Sequence, residues 1–294
     1  MEPMIKKLLT ILELIRLPGM FTTQADILAA FLIIGAGSAE IRPFIFLLIS
    51  SSCLFSAGMA LNDYFDIDVD KKERPQRPIP SGRISGSTAK IMGFGLLIAG
   101  ICFAFFAGPR PFGISLALAL AILLYDGLLK DYPILGPLTM ASCRYFNLLM
   151  GLSILPFEGW ACIPLITFLY IFGVTILSKK EAEGGKAVKT VGVCALCVGC
   201  TALLYYYLFL IKVLPVFTGV VLMIVFVVFL AGRILSLLTD NSPADFQKTM
   251  KILLLSIIVL DTILAAGSVP VYVAVMILLL YIPAVASARL FRVT

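Results

Sequence analysis

Apolar segments of about 20 residues recur along the whole chain, and they constrain its fold more than any other feature. A helix needs roughly 20 apolar residues to cross a bilayer. Ten segments approach this length, near residues 22–37, 42–62, 88–107, 111–128, 134–155, 160–178, 190–211, 213–237, 249–268 and 270–290. Because several joins between them are short, the pattern is consistent with nine spans or ten. We therefore predict an all-α polytopic membrane bundle of nine to ten transmembrane helices, formed by residues 1–294 as a single domain.

The composition supports one membrane domain with no soluble domain beside it. Of the 294 residues, 61% are hydrophobic and only 14% are charged, whereas soluble domains carry roughly 25% charged residues. The chain has no histidine, which removes the commonest general base and metal ligand from consideration. Residues 1–19 place apolar side chains at helical spacing, which predicts a short amphipathic helix on the membrane surface.

The basic residues are distributed asymmetrically. If the N-terminus faces the cytoplasm, the polar connections 63–87, 126–133 and 178–189 all lie on the cytoplasmic side. All but four of the 23 basic residues then lie on that side or next to it. The exceptions are Arg42, Arg110 and Lys212, which face outward, and Arg144, which lies within a span. Since lysine and arginine concentrate in cytoplasmic loops, we predict a multi-pass protein of the cell membrane with its site facing the cytoplasm. The net charge of +6 describes this membrane face, so no nucleic-acid partner is expected.

Four aspartates follow the second apolar segment, in the stretch NDYFDIDVDKKERPQRPIPSG. If that helix continues, about 100° per residue places one amide and three carboxylates within an arc of about 100°, with Asp68 on the opposite side. The members of this stripe are Asn62, Asp63, Asp66 and Asp70. Carboxylates on one stripe repel each other unless a cation lies among them, and oxygen-only ligands suit Mg²⁺. We predict that the three aspartates are catalytic metal ligands; a solvated helix end with random charge is the alternative.

Basic residues follow the carboxylates directly. Arg74 and Arg77 are spaced by Pro75 and Gln76 in a loop rich in proline. Arginine forks can grip phosphate oxygens in a bidentate manner. Metal ligands and arginines beside a lipid-embedded helix indicate a diphosphate on a hydrophobic tail. Asn62, Arg74 and Arg77 are therefore predicted to bind the diphosphate.

The pattern Asn62-Asp63-x-x-Asp66-x-x-x-Asp70, followed by Arg-Pro-x-Arg-Pro-Ile-Pro-Ser-Gly, resembles the first aspartate-rich motif of the UbiA family of intramembrane prenyltransferases. The similarity covers about twenty consecutive residues, and the helix count and loop placement agree along the chain. The resemblance implies a helical bundle with a central cavity that opens to lipid. It also implies an isoprenyl diphosphate bound with Mg²⁺ under cytoplasmic cap loops.

Two further loops can be compared with that family. The segment LLYDGLLKDYPILGP is similar to its Tyr-x-x-x-Leu-Lys segment, which implies that Tyr125 and Lys130 are catalytic and that Lys130 lies by the diphosphate. The family's second aspartate cluster is replaced here by TILSKKEAEGGKAVK. Glu181 and Glu183 are the predicted metal ligands in this loop, and Lys180 is a predicted diphosphate ligand. Together with CRYFNLLMG, this departure resembles the EboC-like branch of the family.

Polar residues within the spans indicate a lined cavity, because charged groups inside a membrane usually face a cavity or a partner. Arg144 and Asn147 share one helix face with Gly151. The resemblance implies that Gln24 and Asp26, near the start of the first span, lie close to the acceptor. A structural ion pair is the alternative role for Arg144. The sequence does not show whether Arg144 pairs with Asp26.

The sequence thus predicts Mg²⁺-dependent transfer of a prenyl group from an isoprenyl diphosphate to a lipophilic or aromatic acceptor within the membrane. The degenerate loop at Glu181 and Glu183 leaves open a non-catalytic membrane carrier that binds isoprenoids. A CDP-alcohol phosphotransferase would require an Asp-Gly-x-x-Ala-Arg spacing, which the chain lacks.

Overall fold

Each predicted span coincides with one helix or, for the last span, with consecutive helical segments. The computed structural model describes residues 2–35, 41–155, 160–179, 188–239 and 242–290. The α-helices are α1 (Glu2–Leu14), α2 (Leu17–Ile33), α3 (Ile41–Phe65), α4 (Ile67–Glu73), α5 (Gly86–Ala107), α6 (Pro109–Leu124), α7 (Leu135–Leu152), α8 (Pro164–Ser178), α9 (Val188–Leu210), α10 (Phe217–Ser236), α11 (Pro243–Ala266), α12 (Val271–Ala274) and α13 (Tyr281–Leu290). In the described part of the chain, seven helical segments are long and apolar enough to cross a membrane. The prediction of an all-α membrane bundle is confirmed, and α2, α7 and α8 occupy the remaining predicted spans.

Several boundaries differ from those predicted. The amphipathic helix α1 ends at Leu14, and α2 begins at Leu17 with a proline in its first turn, a position that proline favours. Arg16 between them adopts a left-handed backbone conformation with φ 49°. The last span is not one α-helix, because a 3₁₀ segment at Val275–Leu280 separates α12 from α13. The loop predicted over 63–87 is partly helical, since it contains the end of α3 and all of α4.

Helix α2 lies at the centre of the bundle. It packs against α3, α7, α11 and α13, and its apolar residues contribute to three separate buried clusters. Ala25, Ala29 and Ala30 are fully buried, and such small residues allow membrane helices to approach closely. Polar side chains on α2 are consequently enclosed by neighbouring helices. This packing brings Asp26 on α2 next to Arg144 on α7.

The contact between α2 and α7 depends on Gly151. A Cβ atom at that position would lie 2.6 Å from the Cβ atom of Ala30, closer than packed atoms tolerate. We expect Gly151→Ala to lower the thermal unfolding midpoint, because overpacking typically costs about 1–3 kcal/mol. Ala30→Gly in the same protein should restore most of the loss.

Gly95 on α5 is the matched control, since a Cβ there would meet nothing within 4 Å. Gly95→Ala should leave the midpoint unchanged or raise it, because alanine favours the helical state. If Gly151→Ala and Gly95→Ala behave alike, the close approach of α7 to α2 is not the reason for the glycine.

Candidate functional site

The aspartate stripe lies where α3 passes into α4. Asp66 stands between the two helices, with φ −93° and ψ 8°. Hydrogen bonds from Asp66 N to Asn62 O (3.0 Å) and from Asp70 N to Asp66 O (2.8 Å) carry the helical path across this irregular residue. The side chains of Asp63 and Asp70 are 5% and 2% exposed, whereas that of Asp68 is 91% exposed and pairs with Lys71. The Asp68 side chain therefore points to solvent, away from the side on which Asp63 and Asp70 are buried, as the helical angles predict.

Arg77 links the two buried carboxylates. Its Nη1 lies 2.7 Å from Asp70 Oδ2 and 3.3 Å from Asp63 Oδ1. Arg74 is more exposed and approaches Asp70 only at 3.9 Å. The turn after Arg77 is held by Ser81, whose hydroxyl donates to the Arg77 carbonyl at 2.6 Å. The proline-rich segment thus folds back over the carboxylates and places one buried guanidinium between them.

Sequence reasoning missed Arg16 as a site residue. Its Nη2 lies 3.0 Å from Asp63 Oδ1 and 3.3 Å from Asn62 Oδ1. The left-handed turn between α1 and α2 aims this side chain at the end of α3. The available signal was a basic residue next to Leu17-Pro18-Gly19, a combination typical of a sharp turn.

Asp126 was also missed as a site residue. It is 4% exposed, and its Oδ1 accepts a hydrogen bond from Asn62 Nδ2 at 3.1 Å. The chain forms a π-helical turn over Tyr125–Leu129, which is closed by a bond from Lys130 N to Tyr125 O at 3.0 Å. Such turns occur frequently at functional sites. Lys130 then reaches across and forms an ion pair with Asp66.

An ion pair at the edge of the site connects α1 to the loop before α5. Arg83 donates to both oxygens of Glu13, at 2.5 and 2.9 Å, and also to the carbonyl of Gln76. The Glu13 carboxylate raises the pKa of the Arg83 guanidinium above its usual value. Both side chains are partly exposed, so this pair orients the segment more than it stabilises the bundle.

A large cavity extends from this cluster into the bundle. Its volume is about 710 Å³. Arg16, Tyr125 and Asp126 lie at the part of its wall that adjoins the aspartates. Much of the remaining lining is apolar, including Leu54, Leu118, Ile122, Val174 and Leu254. A polar end joined to an apolar interior fits a ligand with a charged head and a hydrocarbon chain.

Arg144 and Asn147 on α7 contribute polar groups to the cavity wall. Arg144 lines the cavity and donates to Asp26 Oδ2 at 2.8 Å and to Thr22 Oγ1 at 2.5 Å. Asn147, which also lines the cavity, donates to Asp26 Oδ2 at 2.7 Å. Arg144 and Asp26 therefore do form an ion pair, which the sequence left open.

The predicted contacts of Gln24 and Asp26 with an acceptor need correction. Neither residue is among the described residues that line the cavity. Gln24 donates to the hydroxyl of Ser52 at 3.1 Å. Asp26 is fully buried behind Arg144 and Asn147, because α2 turns that side chain toward α7. Its hydrogen bonds connect it to the cavity wall through those two residues.

The donor groups at the end of α3 fit a hard divalent cation. They are carboxylate and amide oxygens, the ligand type that Mg²⁺ prefers. Within the described ranges, no three acidic or cysteine side chains converge closely enough to hold a metal ion. Instead, Asp63 faces Arg16 and Arg77, and Asp66 faces Lys130. Basic side chains thus neutralise the Asp63 and Asp66 carboxylates, and a divalent cation bound to them would supply positive charge at the same place. The remaining predicted ligands Lys180, Glu181 and Glu183 lie outside the described residues.

Comparisons with known proteins agree with this architecture. Residues 27–258 match the model of the UbiA prenyltransferase family. A digeranylgeranylglyceryl phosphate synthase of Saccharolobus solfataricus is 24% identical over 274 residues, which cover 89% of this chain and 97% of that protein. The synthase of the same name from Methanosarcina mazei is 30% identical over 217 residues, covering 67% of this chain and 73% of that protein.

Solved structures show the same fold. A structure of a UbiA homolog from Archaeoglobus fulgidus bound to GPP and Mg²⁺ superimposes with a TM-score of 0.69 at 18% identity, covering 87% of this chain and 99% of that one. The same homolog bound to DMAPP and Mg²⁺ gives a TM-score of 0.68. The EboC-like placement is not tested by these relatives and stays a prediction. With most of its length matched by the family model and its apolar helices in the bundle described above, the chain belongs to the UbiA prenyltransferase family and is a prenyltransferase embedded in the membrane.

Proposed function

We propose that the protein transfers a prenyl group from an isoprenyl diphosphate to a hydroxyl group of a glyceryl phosphate ether, with Mg²⁺ as its cofactor. One observation carries the proposal: the buried cluster of acids and arginines adjoins an apolar cavity of about 710 Å³. The acceptor class is supported by relatives named digeranylgeranylglyceryl phosphate synthase. Mg²⁺ is supported by the donor chemistry and by the Mg²⁺-bound structures of a UbiA homolog.

The diphosphate is proposed to lie at the junction of α3, α4 and the π-helical turn. Asp63 and Asp66 would hold the cation together with the Asn62 amide oxygen, and the bound cation would neutralise charge on the leaving group. Asp70, 1% exposed and bonded to Arg77, is proposed to orient that arginine rather than to bind metal directly. Arg74, Arg77, Lys130 and Lys180 remain the proposed diphosphate ligands.

The reaction breaks the bond between the prenyl C1 atom and its diphosphate oxygen, and the diphosphate leaves with the bonding electrons. Preorganised positive groups at the oxygen stabilise the charge that develops there. The prenyl cation is then captured by the acceptor oxygen, and the hydroxyl proton passes to the departing diphosphate. The apolar lining keeps water away from the cation, and the ring of Tyr125, which lines the cavity, is placed to stabilise it through its face.

Besides Arg16 at the end next to the aspartates, the cavity wall carries two cationic side chains, Arg144 and Lys251, and these suit an acceptor that carries phosphate. Arg144 is fixed by Asp26 and Thr22. Lys251 on α11 also lines the cavity, and it forms no ion pair with another described residue. An aromatic acid would need only one such group, whereas a phosphate monoester is dianionic and suits both.

The test is an assay of the purified protein in lipid nanodiscs with geranylgeranyl diphosphate and Mg²⁺. Geranylgeranylglyceryl phosphate and 4-hydroxybenzoate would be offered separately, with diphosphate release and the mass of the product as readouts. We expect a product with the glyceryl phosphate only. Transfer to the aromatic acid alone would overturn the acceptor class, and binding without release of diphosphate would support the carrier alternative.

Lys251→Gln should raise the KM for the glyceryl phosphate acceptor roughly tenfold, because a charge-assisted contact is lost, while the KM for the prenyl diphosphate stays unchanged. Lys248→Gln is the matched control, since Lys248 is exposed on the same helix and does not line the cavity. Steady-state kinetics with each substrate varied in turn measures both values. An equal effect of the two substitutions would remove Lys251 from the acceptor site.

The site is proposed to face the cytoplasm, as the distribution of basic residues predicts. A cysteine introduced at the exposed Asp68 should react with a membrane-impermeant maleimide only in inverted vesicles. The described native cysteines would first be replaced, because Cys102 is also exposed. Labelling in right-side-out cells would reverse the proposed orientation.

A further inference from the structure

A second acid lies directly behind the Asp26 and Arg144 pair. Asp261 on α11 is fully buried, as is Asp26, and the two carboxyl groups lie within hydrogen-bonding reach of each other. The residues around Asp261 in the sequence, IIVLDTILAAG, are apolar or uncharged and indicate no partner for this carboxyl group. Its position follows from the packing of α11 against α2, which no local pattern reveals.

The hydrogen bonds of this group are incomplete. Asp26 Oδ2 accepts from Arg144 and Asn147. Asp26 Oδ1 and both oxygens of Asp261 are buried and accept from no N–H or O–H group of the described residues. Buried polar atoms of this kind are expensive to leave unsatisfied, and two facing carboxylates repel one another.

A single proton resolves both problems. If one carboxyl group is neutral, it supplies the missing donor, and the cluster then contains one positive and one negative group. Two ionised acids against one arginine would leave a net negative charge inside a membrane bundle, which is costly. Arg144 is the one cation of the described residues that interacts with either acid.

We propose that Asp261 is a neutral carboxylic acid that donates a hydrogen bond to Asp26 Oδ1 and thereby positions Arg144 toward the cavity. Asp26 keeps its negative charge and its salt bridge to Arg144. Asp261 is thus a positioning residue for acceptor binding, because it touches neither the cavity nor a reacting atom. The link to the acceptor rests on the proposed function, whereas the protonation state of Asp261 does not.

The amide variant tests the proposal, because an amide N–H can replace the acid O–H. Asp261→Asn should keep the thermal midpoint and change the KM of the acceptor by less than about threefold. Asp261→Leu offers no donor and should raise that KM roughly tenfold with little change in kcat, since a buried acceptor is left unsatisfied. If both variants are equally impaired, or if neither is, Asp261 does not act as a donor.

Infrared spectroscopy reports the protonation state of Asp261 directly, which a purely structural role of this residue would not determine. The difference spectrum between wild type and Asp261→Asn should show the loss of the carbonyl band of a protonated carboxylic acid, shifted in D₂O. Asp68→Asn is the control and should show no such loss, because Asp68 is exposed. A wild-type protein without a protonated band assigned to Asp261 overturns the proposal. This measurement needs no turnover, so it separates a failure here from a failure of the proposed acceptor.

Discussion

Asp66→Ala is expected to lower prenyl transfer at least about a hundredfold and to abolish Mg²⁺-dependent binding of the prenyl diphosphate. Asp66 lies at the junction of α3 and α4, with its side chain 19% exposed and paired with Lys130. Its removal eliminates a proposed oxygen ligand and the ion pair with Lys130. Losing one group that stabilises developing charge commonly costs 10²–10³ in rate. Titration with Mg²⁺ at fixed diphosphate, followed by diphosphate release, measures both effects.

Asp68→Ala is the matched control for this experiment. It lies two residues away and carries the same charge, but its side chain is 91% exposed, and among the described residues its ion pair is with Lys71. Activity should stay within about twofold of wild type, as expected for loss of a surface ion pair. Equal losses from the two substitutions would show that net acidity matters and that orientation at the helix junction does not.

Arg77→Met should destabilise the protein by about 3–5 kcal/mol, the usual cost of removing one partner from a buried ion pair. Arg77 is 9% exposed and lies between Asp63 and Asp70. Without it, Asp63 retains Arg16, whereas Asp70 retains, among the residues that the structure describes, only Arg74 at 3.9 Å. Thermal unfolding in detergent should show the loss in the absence of divalent ions. Added Mg²⁺ should recover part of it, because a cation can replace the missing positive charge.

Two further variants test whether the loss of stability in Arg77→Met arises from the buried charge of Arg77. Arg74→Met removes a more exposed arginine from the same segment and should cost less than about 1 kcal/mol. Asp70→Asn combined with Arg77→Met should be more stable than Arg77→Met alone, because no unpaired charge then remains at that position. If the double variant is no better, the arginine stabilises the loop through packing and not through its charge.

The acidic loop at Glu181 and Glu183 remains the point at which this chain departs from the family pattern that its sequence resembles. The segment lies outside the described residues, so its glutamates stay predicted ligands. If Asp66→Ala abolishes Mg²⁺ dependence completely while changes at both glutamates do not, one cation site at α3 is sufficient for the reaction.

Particular residues show where local pattern is informative. The stripe of Asp63, Asp66 and Asp70 could be predicted because helical angles depend only on spacing. The opposite orientation of Asp68 follows from the same spacing. The helix face shared by Arg144, Asn147 and Gly151 follows from spacing in the same way, and the structure shows Ala30 packed against Gly151.

Other residues could not be predicted, because their partners are distant along the chain. Arg16 meets Asp63 across 47 residues, and Asn62 meets Asp126 across 64. The Arg16 side chain is oriented by a left-handed turn, and the Asp126 side chain is oriented by a π-helical turn. Neither kind of turn can be predicted reliably from the amino-acid sequence.

The sequence by itself determined the membrane bundle, the family resemblance and the split of the aspartates, because apolar length and helical period are local properties. Only the tertiary structure decided that Asp26 supports Arg144 from behind instead of lining the cavity. It also placed the Asp261 carboxyl group beside that of Asp26 and the Arg77 guanidinium between Asp63 and Asp70. The physical reason is that a buried charge must find its partner wherever the packing of helices brings one, and that packing is set by the whole chain.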